Sequence, residues 1–76
     1  MMQQGVLKTD DLNPDGVRIV VNWDDFVIGA SVFIPCINTD KAMKQAAAIT
    51  LEKGYKTEGR VVVESGVLGI RIWRTL

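Results

Sequence analysis

Seventy-six residues with one cysteine, no histidine and a formal net charge of zero make one small domain, which buries only ~60% of the surface its unfolded chain exposes. That composition leaves no disulfide framework, no Cys/His zinc site and no Ser-His or Cys-His nucleophile. A single core of this size rarely supplies more than ~3 to 5 kcal/mol, so burial against a second chain, as a homodimer, is expected.

The charges are unevenly spread. Residues 1–40 carry two basic and six acidic side chains, net −4, and residues 41–76 carry seven basic and three acidic ones, net +4. Such asymmetry suits a nucleic-acid surface or complementary self-association, and in a small protein it is also compatible with neither.

In chain order, residues 1–12 are polar, without clean periodicity and without the apolar stretch of a secretory signal. Residues 1–16 are expected to form a mobile N-terminal segment, with residues 5–9 as an edge strand. That strand would fold back at Asn13-Pro14-Asp15-Gly16, where Pro suits the second position of a type I turn and Gly the left-handed residue after it. Residues 17–76 are read as a single domain.

Val17, Ile19, Val21 and Trp23 alternate with Arg18, Val20 and Asn22, the period of a strand. A second strand over residues 26–34 follows after only Asp24-Asp25, which predicts a tight hairpin with Trp23 opposite Phe26. Residues 26–37 are too short and too interrupted to cross a bilayer, so a soluble cytoplasmic protein without membrane association is expected.

Residues 39–53 read as the one helix. Ala42, Met43, Ala46, Ala47, Ile49, Thr50 and Leu51 fall in one arc, opposite Lys41, Lys44, Gln45, Ala48 and Glu52. Asn38 or Thr39 caps its start, Asp40 complements the dipole, and Gly54 ends it with Tyr55 packing back. Strands over residues 60–64 and 67–74 then form a hairpin about Ser65-Gly66.

These elements predict an α+β fold: a single ββαββ domain with a mainly antiparallel four-stranded sheet and one amphipathic helix on one face. The expected core is Ile19, Val21, Ile28, Met43, Ala47, Leu51, Val61, Ile70 and Ile72, so that Leu51→Ala should cost about 2 to 5 kcal/mol. Cys36 reads as a small buried filler, with a reactive thiol as the alternative. The uncovered face should hold Arg18, Val20, Val27, Phe33, Arg60, Val62, Arg71 and Trp73.

The pattern Gly29-x-Ser31-x-Phe33-x-Pro35, a lysine-bearing helix, Arg60 and a terminal Arg71-Ile72-Trp73-Arg74 resembles a group of small uncharacterised phage and prophage proteins. Those share a Gly-x-Ser-Phe-Phe-x-Pro segment and an Arg-x-Trp-Arg ending, and Val32 here replaces the first aromatic residue. The resemblance covers residues 26–76 and implies a viral setting without a defined activity.

Catalytic chemistry has no constellation to carry it. Asp10/Asp11 and Asp24/Asp25 are adjacent pairs, which point apart in a strand and solvate a turn, and no phosphate-binding glycine loop is present. The expectation is a non-enzymatic protein without metal or cofactor. Arg18, Phe33, Arg60, Arg71, Trp73 and Arg74 are the candidate binding residues. In one reading the arginines contact phosphates while the aromatic rings stack on bases. In the alternative, the same face binds protein, either a second copy or a host protein.

Overall fold

The computed structural model describes residues 10–76. Among them the chain forms a mixed α+β domain with one α-helix and a three-stranded antiparallel sheet. The elements are β1 (Ser31–Pro35), α1 (Thr39–Glu52), β2 (Thr57–Glu64) and β3 (Val67–Arg74), and the sheet order is β1-β3-β2.

The β2/β3 hairpin follows local turn chemistry. Ser65 and Gly66 both take positive φ, 51° and 77°, the backbone that matches the twist of paired strands in a two-residue turn. Glu64 consequently lies opposite Val67, as expected, and the register runs from there to Thr57 opposite Arg74. β3 also pairs with β1, from Ser31 opposite Trp73 to Pro35 opposite Gly69.

The first predicted hairpin does not form. Three strands, not four, are present among the described residues, and the Val17 to Trp23 stretch contributes one isolated bridge, Leu12 with Ile19. Asp24-Asp25 offers neither Gly nor Asn for the positive φ of a two-residue turn. Trp23–Asp25 instead coils into a 3₁₀ turn, in which the Phe26 N–H donates to Trp23 O at 3.1 Å. Trp23 and Phe26 still meet, edge to face with centroids 5.4 Å apart, but as neighbours on that turn rather than across strands.

The stretch freed from the sheet wraps the helix. Leu12 and Pro14 are buried, and Trp23 Nε1 donates to Asp10 O at 2.8 Å. The Asn13 N–H donates to Gln45 Oε1, and Gln45 Nε2 returns a bond to Asn13 Oδ1. Asn13 to Gly16 makes the expected turn, with the Gly16 N–H on Asn13 O and Gly16 at φ 79°. Asp15 then accepts from the N–H groups of Ile37 and Asn38 at 2.8 Å each, and these bonds hold its carboxyl below the usual carboxylate range. The predicted edge strand over residues 5–9 lies outside the described residues.

α1 begins and ends as its sequence specifies. Asn38 Oδ1 accepts from the Lys41 N–H at 3.1 Å, and Gly54 turns out at φ 79° while the Tyr55 N–H reaches back to Thr50 O. The buried face is narrower than the apolar arc, however. Ala42, Ala46, Ile49 and Thr50 are covered, together with Ile34, Ile70, Ile72, Leu12, Trp23, Phe26 and Cys36. Burial also pushes the Cys36 thiol up, which suits an inert filler.

Four expected core residues are exposed. Leu51 is 78% exposed, Ile28 and Val61 are more than half exposed, and Ala47 faces outward as well. The cause is the placement of residues 10–23. They cover the Gln45 and Lys53 flank of the helix, which the sequence marks as polar, and leave the Ala47 and Leu51 flank open. Ile28 is outside because residues 26–30 do not join a strand. Val61 projects on the helix side of β2, beyond the point where Met43 covers Gly59.

Urea denaturation separates the two kinds of position. Ile34→Ala, at a fully buried site, is expected to cost about 2 to 5 kcal/mol, whereas Leu51→Ala should change the stability of the single chain by no more than about 0.5 kcal/mol.

Candidate functional site

The helix packs on one side of the sheet, so side-chain alternation defines the other side. It carries Ser31, Phe33 and Pro35 from β1, Val67, Gly69, Arg71 and Trp73 from β3, and Glu58, Arg60, Val62 and Glu64 from β2. Of the six candidate binding residues, four share this face. Phe33, Arg71 and Arg60 form one cross-strand row, and Trp73 lies in the next row between Ser31 and Glu58.

The other two lie elsewhere. Arg18 is on the wrapping segment, and its Nε donates to Asp11 Oδ2 at 2.7 Å. Val20 and Val27, also expected on the open face, are outside the sheet with it. Arg74 has the parity of Ile70 and Ile72 and therefore lies on the helix side of β3. Its guanidinium sits 3.6 Å from the centre of the Tyr55 ring, with Nη1 on Phe26 O and Nε on Leu76 O. It straps the end of β3 to the helix exit and the wrapping segment, and that parity was already readable from Ile72.

On the open face, Arg71 is fully engaged. Nε and Nη2 donate to the two carboxylate oxygens of Glu64 at 2.5 and 2.6 Å, and Nη1 donates to Ser31 Oγ at 2.8 Å. The Arg71 bond holds the Glu64 carboxyl below its usual range. Arg60 stands directly opposite Arg71, a like-charge pairing that is unfavourable unless one charge is neutralised, and Glu64 neutralises it. Arg60 itself is exposed, with no ion pair among the described residues.

Phe33 leans across the sheet onto Gly69, with the Arg71 guanidinium 5.8 Å from its ring centre. Gly69 is required here, because a Cβ would run into Ile34 O and would meet the Phe33 ring at 2.9 Å. At the opposite corner, Trp73, Glu58, Arg60, Ile28 and Gly29 line an open depression of about 580 Å³. Glu58, absent from the sequence-derived site, is placed beside Trp73 by strand parity alone.

The face can present two aromatic rings, valines and balanced charge, with Arg60 and Arg71 offset by Glu58 and Glu64. Among the described residues no group of three or more His, Cys, Asp or Glu is placed to hold a metal ion. Nor, among the described residues, is any helix long and apolar enough to cross a membrane.

Gly69→Ala is expected to destabilise the fold by at least about 1 to 3 kcal/mol, because the obstruction includes backbone. Gly59→Ala should cost less, since its Cβ would meet only the flexible end of Met43; chemical denaturation of both variants compares them. The lowered carboxyls of Asp15 and Glu64 give a pH dependence of known sign. Their stabilisation is present at neutral pH and is lost as pH falls through the usual carboxylate range into the folded-state values. Urea midpoints measured across that range should fall for wild type, whereas Glu64→Gln should start lower at neutral pH and fall less. No protein-family model matches the chain, and neither a curated protein nor a solved structure matches it.

Proposed function

We propose that this chain is a non-enzymatic accessory protein, phage-encoded and acting in the host cytoplasm, whose uncovered sheet face binds a protein partner. The observation that carries this reading is the charge balance of that face. Binding to nucleic acid without sequence preference draws its affinity from several free cations that neutralise phosphates. Here Arg18 and Arg74 are engaged away from the face, Arg71 is held by Glu64, and Arg60 remains. Phe33, Trp73, Val62 and Val67 supply apolar and aromatic area of the kind found at the centre of protein interfaces.

One observation favours nucleic acid as a second reading. Arg60 and Trp73 line the same depression, a pairing that would stack a base while holding its phosphate.

Fluorescence anisotropy with labelled single-stranded and duplex oligonucleotides at low salt separates the two. The protein reading expects no binding. Binding that weakens with salt and is lost in Arg60→Ala would establish the nucleic-acid reading instead. A photo-reactive amino acid in place of Trp73, introduced into the full chain in cells, is expected to give adducts removed by protease and untouched by nuclease. In an interface centred on this face, Trp73→Ala should weaken partner binding by about 2 kcal/mol or more.

A further inference from the structure

β2 is an edge strand, and its free edge has a definite hydrogen-bonding phase. The Cys36 N–H donates to Leu68 O and the Arg74 N–H to Ala30 O, so the even-numbered residues of β3 direct their backbone groups toward β1. In an antiparallel ladder the odd-numbered ones then serve β2, through Glu58, Arg60, Val62 and Glu64. The N–H and C=O groups of Gly59, Val61 and Val63 therefore point out of the sheet. Val61 and Val63 are 54% and 66% exposed, and nothing else blunts this edge: no proline, no bulge, no covering element among the described residues.

The side chains along it, Arg60-Val61-Val62-Val63-Glu64, are antisymmetric in charge about Val62. A second copy laid antiparallel with Val62 opposite Val62 puts Arg60 opposite Glu64 on both sides of the axis and pairs Val61 with Val63. It also satisfies the hydrogen-bonding phase, since Val61 and Val63 are both outward-bonding residues. Centring on Val61 would set Glu58 against Glu64, and centring on Arg60 would set Arg60 against itself. Centring on Gly59 opposes Glu58 to Arg60 but leaves Val63 and Leu68 uncovered.

The Val62 register brings together two surfaces that the single chain leaves open. Met43 lies over Gly59, and Ala47 and Leu51 continue that helix flank. With Gly59 of one copy opposite Ser65 of the other, this flank comes beside Val63 and Leu68 of its mate. The Glu64 oxygens already accept from Arg71, and each retains a lone pair for the incoming Arg60.

We infer that the chain forms a two-fold dimer by antiparallel β2–β2 pairing centred on Val62, making a six-stranded sheet with both helices on one face. The inference does not depend on the identity of the partner on the outer face: it rests on the strand edge and the helix side, and of the outer face it uses only Arg60, Val62 and Glu64 at the β2 rim.

Three measurements on the full chain test it. Sedimentation of wild type at micromolar concentration should give twice the 8.4 kDa chain mass. Val61→Pro removes an outward-facing N–H without touching the β2/β3 ladder, and should give the single-chain mass with an unchanged circular dichroism spectrum. Val62→Cys should oxidise to an intermolecular disulfide, because opposed residues of a non-bonded antiparallel pair have Cα atoms about 4.5 Å apart, within disulfide range. Val61→Cys, opposed to Val63, should not. A monomeric wild type, a folded Val61→Pro that still dimerises, or crosslinking at 61 in place of 62 would overturn the inference. Should Val61→Pro fail to fold, the crosslinking pattern decides.

Discussion

The structure depends on β3 being paired along both edges. It is the one strand among the described residues with two ladders, and its alternation divides the molecule. Ile70 and Ile72 anchor the helix on one side, while Gly69, Arg71 and Trp73 organise the other. Because Gly69 has no side chain, Phe33 can lie across the central strand, and the outer face becomes a connected surface rather than three parallel rows. The inner anchor and the outer surface thus share one backbone, and a shift of register in β3 would exchange them.

A helix of fourteen residues on a sheet of three short strands cannot cover it entirely. Ala42 and Ala46 let α1 approach closely, and residues 10–23 complete the seal on one flank with Leu12, Trp23 and paired Asn13–Gln45 amides. The opposite flank and the far half of β2 have no such cover. The apolar side chains left there, Leu51, Val61, Val63 and Leu68, are numerous for a small domain, and a contiguous exposed apolar patch is the usual mark of an interaction surface.

The arginines divide by their partners rather than by their positions in sequence. Arg74 braces the C-terminal end against Tyr55, Arg18 closes onto Asp11, and Arg71 is clamped by Glu64 and Ser31. A guanidinium paired with a carboxylate, as in Arg18 and Arg71, or turned to the helix side, as in Arg74, adds little net positive charge to the open face. The open face is consequently aromatic and apolar in character with balanced charge, and Arg60 is left as its available cation.

Much of the fold was legible in the sequence wherever the deciding interaction is local. Asn38 and Gly54 bound the helix, Ser65-Gly66 sets the hairpin and its register, and period-2 alternation assigns Phe33, Arg60, Arg71 and Trp73 to one face. The misassigned features are those decided by distant parts of the chain. The alternation of Val17 to Trp23 is genuine, yet a strand needs a partner, and Asp24-Asp25, without the glycine that eases a two-residue turn, joins Trp23 in a 3₁₀ turn that supplies none. The apolar arc of α1 states which residues would tolerate burial. Which of them are buried depends on where Leu12 and Trp23 dock, so Ile49 is covered while Leu51, two residues on, is not. An arginine in the sequence likewise announces a charge, and only the folded chain, by pairing Arg71 with Glu64 and drawing Arg74 to Tyr55 on the helix side, determines whether that charge is available on the open face.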